Sequence, residues 1–286
     1  MIVVTGATGH LGRLVVEALA RKVPAEEIVA AVRTPEKAAD LAALGVQVRV
    51  ADYDQPSTLA EAFAGAEKLL LVSSSEVGQR VPQHTAAVEA AKAAGVAHIV
   101  YTSVLSADTT AIVLAPEHKA TEEVIRDSGI PFTFLRNGWY TENYEQAVAQ
   151  ALATGAILGS AGEGKLGGVP RADYAGAAVE VLTGTGHENK VYELAADEAW
   201  SYADFAEAIA RISGKPVAYQ NVPAEQHRSI LLGAGLPEFV ADMLVDADRA
   251  IADGELASDS GDLRTLLGRP TTSLDDAVTS LLKNLG

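Results

Sequence analysis

The chain has 286 residues, of which 48% are hydrophobic and 21% charged, and its formal net charge is −16. This charge disfavours nucleic acid as a main partner, because phosphate binding needs a basic face. The sequence contains no cysteine, which excludes disulfides and thiolate nucleophiles, and no apolar run approaches the roughly 18 residues of a membrane-spanning helix. Together with the lack of a basic and apolar leader, these features predict a cytoplasmic protein.

Strand-like and helix-like patterns alternate over the first half of the chain. The strands are predicted at 2–4, 28–32, 46–50, 68–72, 98–102 and 132–135. The helices are predicted at 11–22, 35–44, 57–64, 83–94 and 117–128. Such alternation indicates right-handed crossovers and a parallel sheet that is covered on both faces.

The pattern changes after residue 135. Segment 155–168 contains six glycines and is predicted to be a loop region, followed by helices at 174–182 and 202–212 and strands at 191–194 and 217–222. We therefore predict an α/β fold with a Rossmann-type doubly wound parallel sheet in residues 1–135. Residues 136–286 are predicted to form a smaller C-terminal α/β substrate-binding part, with returning segments that pack on the first domain.

Three glycines, Gly6, Gly9 and Gly12, follow the first strand and begin the first helix. In a strand–turn–helix unit, such glycines allow a tight turn, a close approach of a pyrophosphate, and close packing of helix and strand. Amide groups at the helix N-terminus can then bind the anion. The alternative is a glycine-rich turn that binds no ligand.

The end of the second strand indicates which nucleotide is bound. NAD-binding folds usually carry an acid there, but this chain has Arg33, which can bind a 2′-phosphate through charge-assisted hydrogen bonds. The sequence therefore favours NADP(H), with Lys37 as a further cation nearby. Asp52, after the third strand, is a candidate for bounding the adenine, or else a turn residue. Arg33 also has an alternative, as a solvated charge at a strand end.

Several segments together resemble the NmrA-like branch of the atypical short-chain dehydrogenase/reductases. They include VTGATGHLG, AVRTPEKA, ADYDQPSTL, KLLLVSSSEVGQR, IVYTSVL, FTFLRNGWYTENY and VPRADYA, and the resemblance covers nearly the whole chain. It implies a Rossmann-type domain, NADPH as cofactor, and transfer of a hydride to a quinone-like small molecule.

The resemblance also implies a set of site residues. The pyrophosphate would contact Gly6, Ala7, Thr8, Gly9, His10 and Leu11, the 2′-phosphate Arg33, and the nicotinamide-side ribose Ser73, Ser74 and Ser75. The nicotinamide end would be closed by Asn137, Gly138, Trp139, Tyr140, Thr141 and Glu142, and completed by Arg171. For the serines the alternative is a capped loop, and for Trp139 and Tyr140 it is packing between the two parts.

One departure from typical short-chain dehydrogenases concerns the proton donor. No tyrosine has a lysine four residues later; Leu114 falls at the position of the tyrosine and His118 at that of the lysine. This argues against alcohol–ketone chemistry and tolerates quinone reduction, which depends on orientation of donor and acceptor. Tyr140, Asn137 and His118 are the candidate catalytic residues. For His118 the favoured alternative is a helix histidine that only faces a neighbouring loop.

Other classes of function have less support. The six histidines are scattered without an H-x-x-x-H pair, so no metal site is predicted. A non-enzymatic NADP(H) sensor and a reductase of cationic dyes remain as alternatives, and the oligomeric state is left open.

Overall fold

The computed structural model of the chain describes residues 1–285 and contains eleven strands and twelve α-helices in that range. The strands are β1 (Ile2–Val4), β2 (Ile28–Val32), β3 (Gln47–Val50), β4 (Lys68–Leu71), β5 (His98–Val104), β6 (Phe132–Asn137), β7 (Ala156–Gly159), β8 (Lys165–Leu166), β9 (Lys190–Leu194), β10 (Trp200–Ser201) and β11 (Ala218–Asn221). The helices are α1 (His10–Leu19), α2 (Ala39–Ala43), α3 (Pro56–Ala62), α4 (Arg80–Ala93), α5 (Ala115–Asp127), α6 (Glu145–Thr154), α7 (Arg171–Thr183), α8 (Tyr202–Ser213), α9 (Ala224–Gly233), α10 (Glu238–Ala252), α11 (Asp262–Leu267) and α12 (Leu274–Asn284). Short 3₁₀ helices cover Ala25–Glu27, Pro35–Ala38 and Thr141–Tyr144.

Seven strands form one parallel sheet in the order β3-β2-β1-β4-β5-β6-β9. The order reverses between β1 and β4, so the connections that leave these two strands diverge. They open a crevice at the carboxyl edge of the sheet, which is where such folds bind ligands. The predicted α/β fold with a Rossmann-type parallel sheet is confirmed.

Helices cover both faces of this sheet, which explains its nearly continuous apolar strands. All five residues of β2 and all seven of β5 are buried. On one face Leu11, Val15 and Leu19 of α1 join an apolar cluster with α7, and on the other face Leu59 and Phe63 join a cluster with α4 and α5. Burial of such side chains contributes about 1.5–3 kcal/mol each to folding, before entropic costs.

Segments from the second half of the chain return to the main sheet. Strand β9 pairs in parallel with β6 and forms the edge of the sheet, while α7 packs against α1 and α11 packs against α7. This is the kind of return that the sequence predicts for residues 136–286. The division of the chain at residue 135 stays a prediction.

The remaining C-terminal elements build a smaller second layer with its own core. Two small sheets, β7 with β11 and β8 with β10, pack with helices such as α6, α8 and α10 around Trp200, Phe205 and Ile251. The prediction that 155–168 is a loop region is wrong, because β7 and β8 lie there. Each is only two to four residues long and pairs with a strand more than thirty residues away, so no local pattern reveals it.

Over the described residues 1–285, no helix is both long and apolar enough to span a bilayer. Within the same range, no group of three or more histidine, aspartate and glutamate side chains is arranged to hold a metal ion.

Candidate functional site

The glycine turn joins β1 to α1 with almost no spare room. Gly6 has φ of +57°, a left-handed conformation that glycine adopts without strain. The Gly9 N–H donates to the Gly6 carbonyl at 2.8 Å. A Cβ on Gly12 would lie 2.4 Å from that same carbonyl oxygen, so only glycine lets the helix approach the turn this closely.

The first turn of α1 presents unpaired amide groups beside this turn. Within residues 1–285, the backbone N–H groups of Leu11 and Gly12 have no hydrogen-bond acceptor. Amides of this kind, reinforced by the helix dipole, form an anion-binding position.

A cavity of about 500 Å³ opens at the carboxyl edge of the sheet, directly above this turn. Its volume lies in the range of small-molecule and cofactor sites. The predicted site residues that line it are Gly6, Thr8, Gly9, His10, Leu11, Arg33, Asp52, Ser73, Ser74, Ser75 and Tyr140. They follow five strands, β1, β2, β3, β4 and β6, which are far apart in sequence.

The same cavity is lined by residues that sequence reasoning did not assign to the site. These are Thr5, Gly12, Thr34, Ala51, Tyr53, Val72, Glu76, Arg80 and Gln83, while Lys37, noted as a helper of Arg33, also lines it. Four of them, Thr5, Thr34, Ala51 and Val72, stand one or two positions after a strand, and that position is the signal by which these four could have been found.

Arg33 lies at the rim of the cavity with its side chain 64% exposed. Its Nη1 donates to Glu76 Oε1 at 2.8 Å, and Glu76 Oε2 accepts a second hydrogen bond from Gln83 at 2.9 Å. An exposed pair of this kind is worth about 0–1 kcal/mol, so the guanidinium can exchange this carboxylate for a stronger anion.

Asp52 lines the cavity and also closes a turn. Its carboxylate accepts from the Asp54 N–H at 3.1 Å and from Gln55 Nε2 at 2.9 Å. Beside it, the Tyr53 hydroxyl donates to Thr5 Oγ1 at 2.8 Å, and burial raises the pKa of Tyr53 to about 12. The two readings of Asp52, as a turn residue and as a cavity residue, are therefore compatible.

The three-serine segment after β4 is held by buried side chains of its neighbours. The Ser73 N–H donates to Thr102 Oγ1 at 2.8 Å, and the Ser74 N–H donates to His84 Nε2 at 3.0 Å. Arg80 Nε donates to the Ser74 carbonyl at 2.6 Å. Burial, reinforced by the charge of Arg80, lowers the pKa of His84 to about 3, so His84 is neutral and can accept this hydrogen bond.

Tyr140 forms the far end of the cavity. Asn137 Nδ2 donates to its hydroxyl at 3.3 Å, and the Arg171 guanidinium lies 4.5 Å from the centre of its ring. Tyr174 packs edge-on against the same ring at 5.2 Å. Burial raises the pKa of Tyr140, so the phenol is protonated at neutral pH.

Asn137 is the last residue of β6 and is buried. Its Oδ1 is a buried acceptor without a hydrogen-bond partner among residues 1–285. Buried amide oxygens are rarely left unpaired, so this oxygen is notable, although Asn137 itself does not line the cavity.

Several predicted site residues do not line the cavity. The residues outside the lining are Ala7, Asn137, Gly138, Trp139, Thr141, Glu142 and Arg171. Glu142 accepts from the Arg171 backbone N–H at 3.0 Å, and the Trp139 carbonyl accepts from Val169 at 3.2 Å. These contacts hold segment 137–142 against α7, and a direct role of these residues in cofactor binding stays a prediction.

His118 also stands outside the cavity. It is 5% exposed, and its Nδ1 is 2.8 Å from the hydroxyl of Tyr101 on β5. Burial, together with the charge of Arg80, lowers the pKa of His118 to about 3. A neutral imidazole of this kind is a poor proton donor at neutral pH.

The arrangement fits a dinucleotide with a 2′-phosphate. The glycine turn and the unpaired α1 amides line the cavity at a position that suits a pyrophosphate, and Arg33 and Lys37 line it as cations that suit a further phosphate. The unpaired Asn137 oxygen lies beside Tyr140, at the opposite end from Arg33 in the order of the strands. Glycine turn, cavity and parallel sheet thus define a Rossmann-type dinucleotide-binding protein.

Comparisons with known proteins give the family. The model of the NmrA-like family matches residues 1–275, and the chain belongs to that family. It is 52% identical to quinone oxidoreductase 2 of Escherichia coli strain K12, over 98% of each chain. It superposes with a TM-score of 0.96 on the E. coli NADPH-dependent quinone oxidoreductase in complex with NADPH, at 51% identity, covering 99% of this chain and 100% of that one. The TM-score is 0.95 with the Citrobacter sp. triphenylmethane reductase complexed with NADP(H), at 43% identity and 98% and 100% coverage.

Proposed function

We propose that this protein is an NADPH-dependent reductase that transfers a hydride to a quinone or a similar conjugated acceptor. The observation that carries the proposal is the single cavity that joins the glycine turn, Arg33 and Tyr140. One end of the cavity suits the phosphates of NADPH. The opposite end is closed by the aromatic ring of Tyr140. The full-length similarity to a quinone oxidoreductase of E. coli supports the same activity.

The proposed binding roles follow from charge and position. The amides of the 6–12 turn bind the pyrophosphate, and Arg33 leaves Glu76 for the 2′-phosphate. Segment 73–75 lies along the ribose on the nicotinamide side. Hydrogen bonds to Thr102 and His84 hold this segment in place. Asn137, whose buried Oδ1 has no partner among residues 1–285, would accept a hydrogen bond from the nicotinamide end.

When bound, NADPH supplies the hydride. The chain supplies position: Tyr140 is fixed by Asn137, Arg171 and Tyr174, and its ring offers a flat surface to the reacting groups. Offset stacking on an aromatic face is worth about 0.5–1.5 kcal/mol beyond area burial. Holding donor and acceptor in a reactive geometry can lower the barrier by up to about 7–11 kcal/mol.

A dedicated acid is not placed at the positions that typical short-chain dehydrogenases use. Leu114 stands in place of the tyrosine, and the pKa of His118 is lowered to about 3 by burial. Reduced quinones can take a proton from water or a weakly assisting group. Catalysis in this proposal therefore depends on geometry rather than on one ionisation.

The test is NADPH oxidation by purified protein with a panel of quinones and cationic dyes, followed by the near-ultraviolet absorbance of the reduced nicotinamide. We expect saturable turnover with quinones, and a higher kcat/KM with NADPH than with NADH. Tight NADPH binding without turnover on any acceptor would instead indicate a dinucleotide sensor. The cytoplasm as compartment, and the absence of nucleic acid partners, stay predictions from composition and charge.

A further inference from the structure

A second cavity lies in the C-terminal layer. Its volume is about 150 Å³, and α6, β7, α9 and α10 enclose it. The side chains of Trp139, Tyr144, Ile157 and Leu231 give it an aromatic and aliphatic lining. An apolar cavity of about 150 Å³ in another protein takes up benzene. The space therefore suits a ligand with one six-membered ring.

This second cavity is separate from the dinucleotide cavity. Tyr140 lines the dinucleotide cavity, whereas its neighbour Trp139 lines the second one, and within the described range 1–285 no residue lines both. The chain around Trp139 and Tyr140 therefore stands between the two spaces. A hydride on a bound nicotinamide cannot reach a molecule behind this wall, so the second cavity is not a site for the reacting acceptor.

The second cavity has its own access from solvent. Gln146 and Gln150 on α6 line it, as does Ala234 directly after α9, and all three residues are exposed. A cavity with exposed residues in its lining reaches the protein surface. A ligand can therefore enter between α6 and the end of α9 while a dinucleotide occupies the first cavity.

A buried carboxylate stands at one side of the apolar lining. Asp248 is 2% exposed, and its Oδ2 accepts hydrogen bonds from the Ser160 N–H at 2.6 Å and from the Ser160 hydroxyl at 3.0 Å. Its Oδ1 accepts from the Tyr202 hydroxyl at 2.5 Å. Both oxygens of Asp248 are therefore already bonded within the protein.

These contacts fix which nitrogen of His227 carries a hydrogen. The Nδ1 atom lies 3.2 Å from Ser160 Oγ and 3.0 Å from Asp248 Oδ2. A carboxylate oxygen only accepts hydrogen bonds, and the Ser160 hydroxyl already donates to Asp248, so Nδ1 of His227 carries the hydrogen. The other ring nitrogen, Nε2, is left for a ligand.

The Nε2 atom of His227 is the polar atom that the protein leaves unused in this cavity. His227 is 6% exposed and lines the cavity, and among residues 1–285 its Nε2 has no hydrogen-bond partner. Buried polar atoms are rarely left without a partner. An apolar cavity with one oriented polar atom is the usual form of a small-molecule site.

The chemistry of the lining selects a neutral hydroxyl group. A hydroxyl both donates and accepts, so it can pair with His227 Nε2 whether or not that nitrogen carries a proton. A charged ring would be buried among apolar side chains without a free partner ion, because Asp248 is already satisfied inside the protein. The aromatic lining adds stacking and edge-on contacts to a flat ring.

We propose that this cavity is a second ligand site, which binds a single-ring phenol with its hydroxyl group at His227 Nε2. The ring of the phenol packs among Trp139, Tyr144 and Leu231. The phenol does not react, because the wall between the cavities keeps it from the nicotinamide. Such binding needs no hydride transfer, so it goes beyond the proposed reductase function and does not depend on it.

The experiment is a fluorine-19 NMR titration of the full chain with saturating NADP⁺, which fills the dinucleotide cavity. The probes are 4-fluorophenol and 4-fluorotoluene, which have nearly the same size and differ in a hydroxyl against a methyl group. Ala147 on α6 lines the second cavity, so Ala147→Phe fills it. Ala149 on the same helix is exposed and outside the lining, so Ala149→Phe is the matched control. His227→Phe keeps a ring and removes Nε2.

We expect saturable binding of 4-fluorophenol to the wild type. Its affinity is expected to fall by about tenfold or more in Ala147→Phe, because the added ring occupies the space of the ligand, and to stay unchanged in Ala149→Phe. In His227→Phe the affinity for 4-fluorophenol is expected to fall by about three- to tenfold, the effect of one lost hydrogen bond. The affinity for 4-fluorotoluene, which cannot make this bond, is expected to stay the same in His227→Phe.

Two results would overturn the proposal. Equal affinity for 4-fluorophenol in the wild type and Ala147→Phe would show that the phenol does not bind in this cavity. Equal losses of both probes in His227→Phe would show that no hydrogen bond to Nε2 is made. Thermal unfolding checks that the variants fold, and Ala147→Leu and His227→Leu replace any phenylalanine variant that does not.

Discussion

Arg33 Nη1 lies 2.8 Å from Glu76 Oε1, so the cation that faces the predicted 2′-phosphate position is already paired with a carboxylate of the same cavity. Both side chains are substantially exposed, at 64% and 39%. The ion pair is therefore weak enough for Arg33 to exchange Glu76 for a phosphate. Without a ligand, the pair orients the Arg33 guanidinium.

Replacing Arg33 tests its contact with the 2′-phosphate. Arg33→Ala is expected to weaken NADPH binding by about 1.5–3 kcal/mol, the cost of a lost charge-assisted hydrogen bond, and NADH binding much less. Isothermal titration of both nucleotides checks this. Arg21→Ala, an exposed cation outside the cavity, controls for the change in net charge. Equal losses for NADPH and NADH in Arg33→Ala would show that Arg33 does not contact the phosphate.

Replacing Glu76 tests the competition that this pair implies. Glu76→Gln keeps the hydrogen-bonding shape but removes the negative charge, so NADPH is expected to bind up to about fivefold tighter, consistent with the 0–1 kcal/mol of an exposed ion pair. The gain is expected to shrink at high salt, because exposed charges are screened. A weaker affinity for NADPH would mean that Glu76 contributes to the site rather than competing with the ligand.

The sequence alone could predict much of this cavity, because its glycines, Arg33 and the serine segment all follow strands in chain order. It could not predict that the Ser74 N–H donates a hydrogen bond to the His84 side chain. His84 lies ten residues later, on α4, and no periodic pattern in the sequence indicates this contact. The sequence also could not predict the cavity of about 150 Å³ that α6, β7, α9 and α10 enclose in the C-terminal layer. Trp139 and Asp248 both line that cavity, but they are far apart in the chain and no local pattern brings them together.

The glycine turn gives a prediction about stability. Gly12→Ala places a Cβ 2.4 Å from the Gly6 carbonyl oxygen, so it is expected to cost about 1–3 kcal/mol and to weaken NADPH binding. Gly233→Ala is the matched change on α9, where an added Cβ meets nothing within 4 Å, and is expected to be neutral or stabilising by up to about 1 kcal/mol. Chemical denaturation of both variants is the measurement. The same unfolding free energy for the two would refute the steric argument.

Buried neutral histidines predict a loss of stability in acid. The pKa values of His84 and His118 are lowered from 6.5 to about 3, so the unfolded chain binds a proton at each below about pH 6.5 while the folded chain does not. Their contribution is fully present above pH 6.5 and is lost as the pH falls towards 3, by about 1.4 kcal/mol per pH unit for each histidine. Urea denaturation between pH 7 and 5 measures this slope. His118→Gln is expected to flatten it, and an unchanged slope would contradict the assignment.

Three substitutions test the claim that geometry outweighs a single proton donor. Tyr140→Phe keeps the ring and is expected to retain most activity, whereas Tyr140→Ala is expected to lose much more, through acceptor alignment. His118→Ala is expected to reduce kcat by far less than the roughly 10²-fold that loss of a general acid causes. Steady-state kcat and KM with NADPH and one quinone, corrected for the folded fraction, check all three. A collapse of kcat in Tyr140→Phe or His118→Ala, with NADPH affinity intact, would reveal a dedicated acid.

The central claim is that the chain holds NADPH so that its hydride passes to a quinone. Single-turnover oxidation with NADPH deuterated at either position of nicotinamide carbon 4 tests it most directly. The account predicts that a one-ring quinone oxidises bound NADPH and that one of the two deuterated forms, and not the other, reacts more slowly. No oxidation of tightly bound NADPH by any quinone, or an unchanged rate with both deuterated forms, would contradict it.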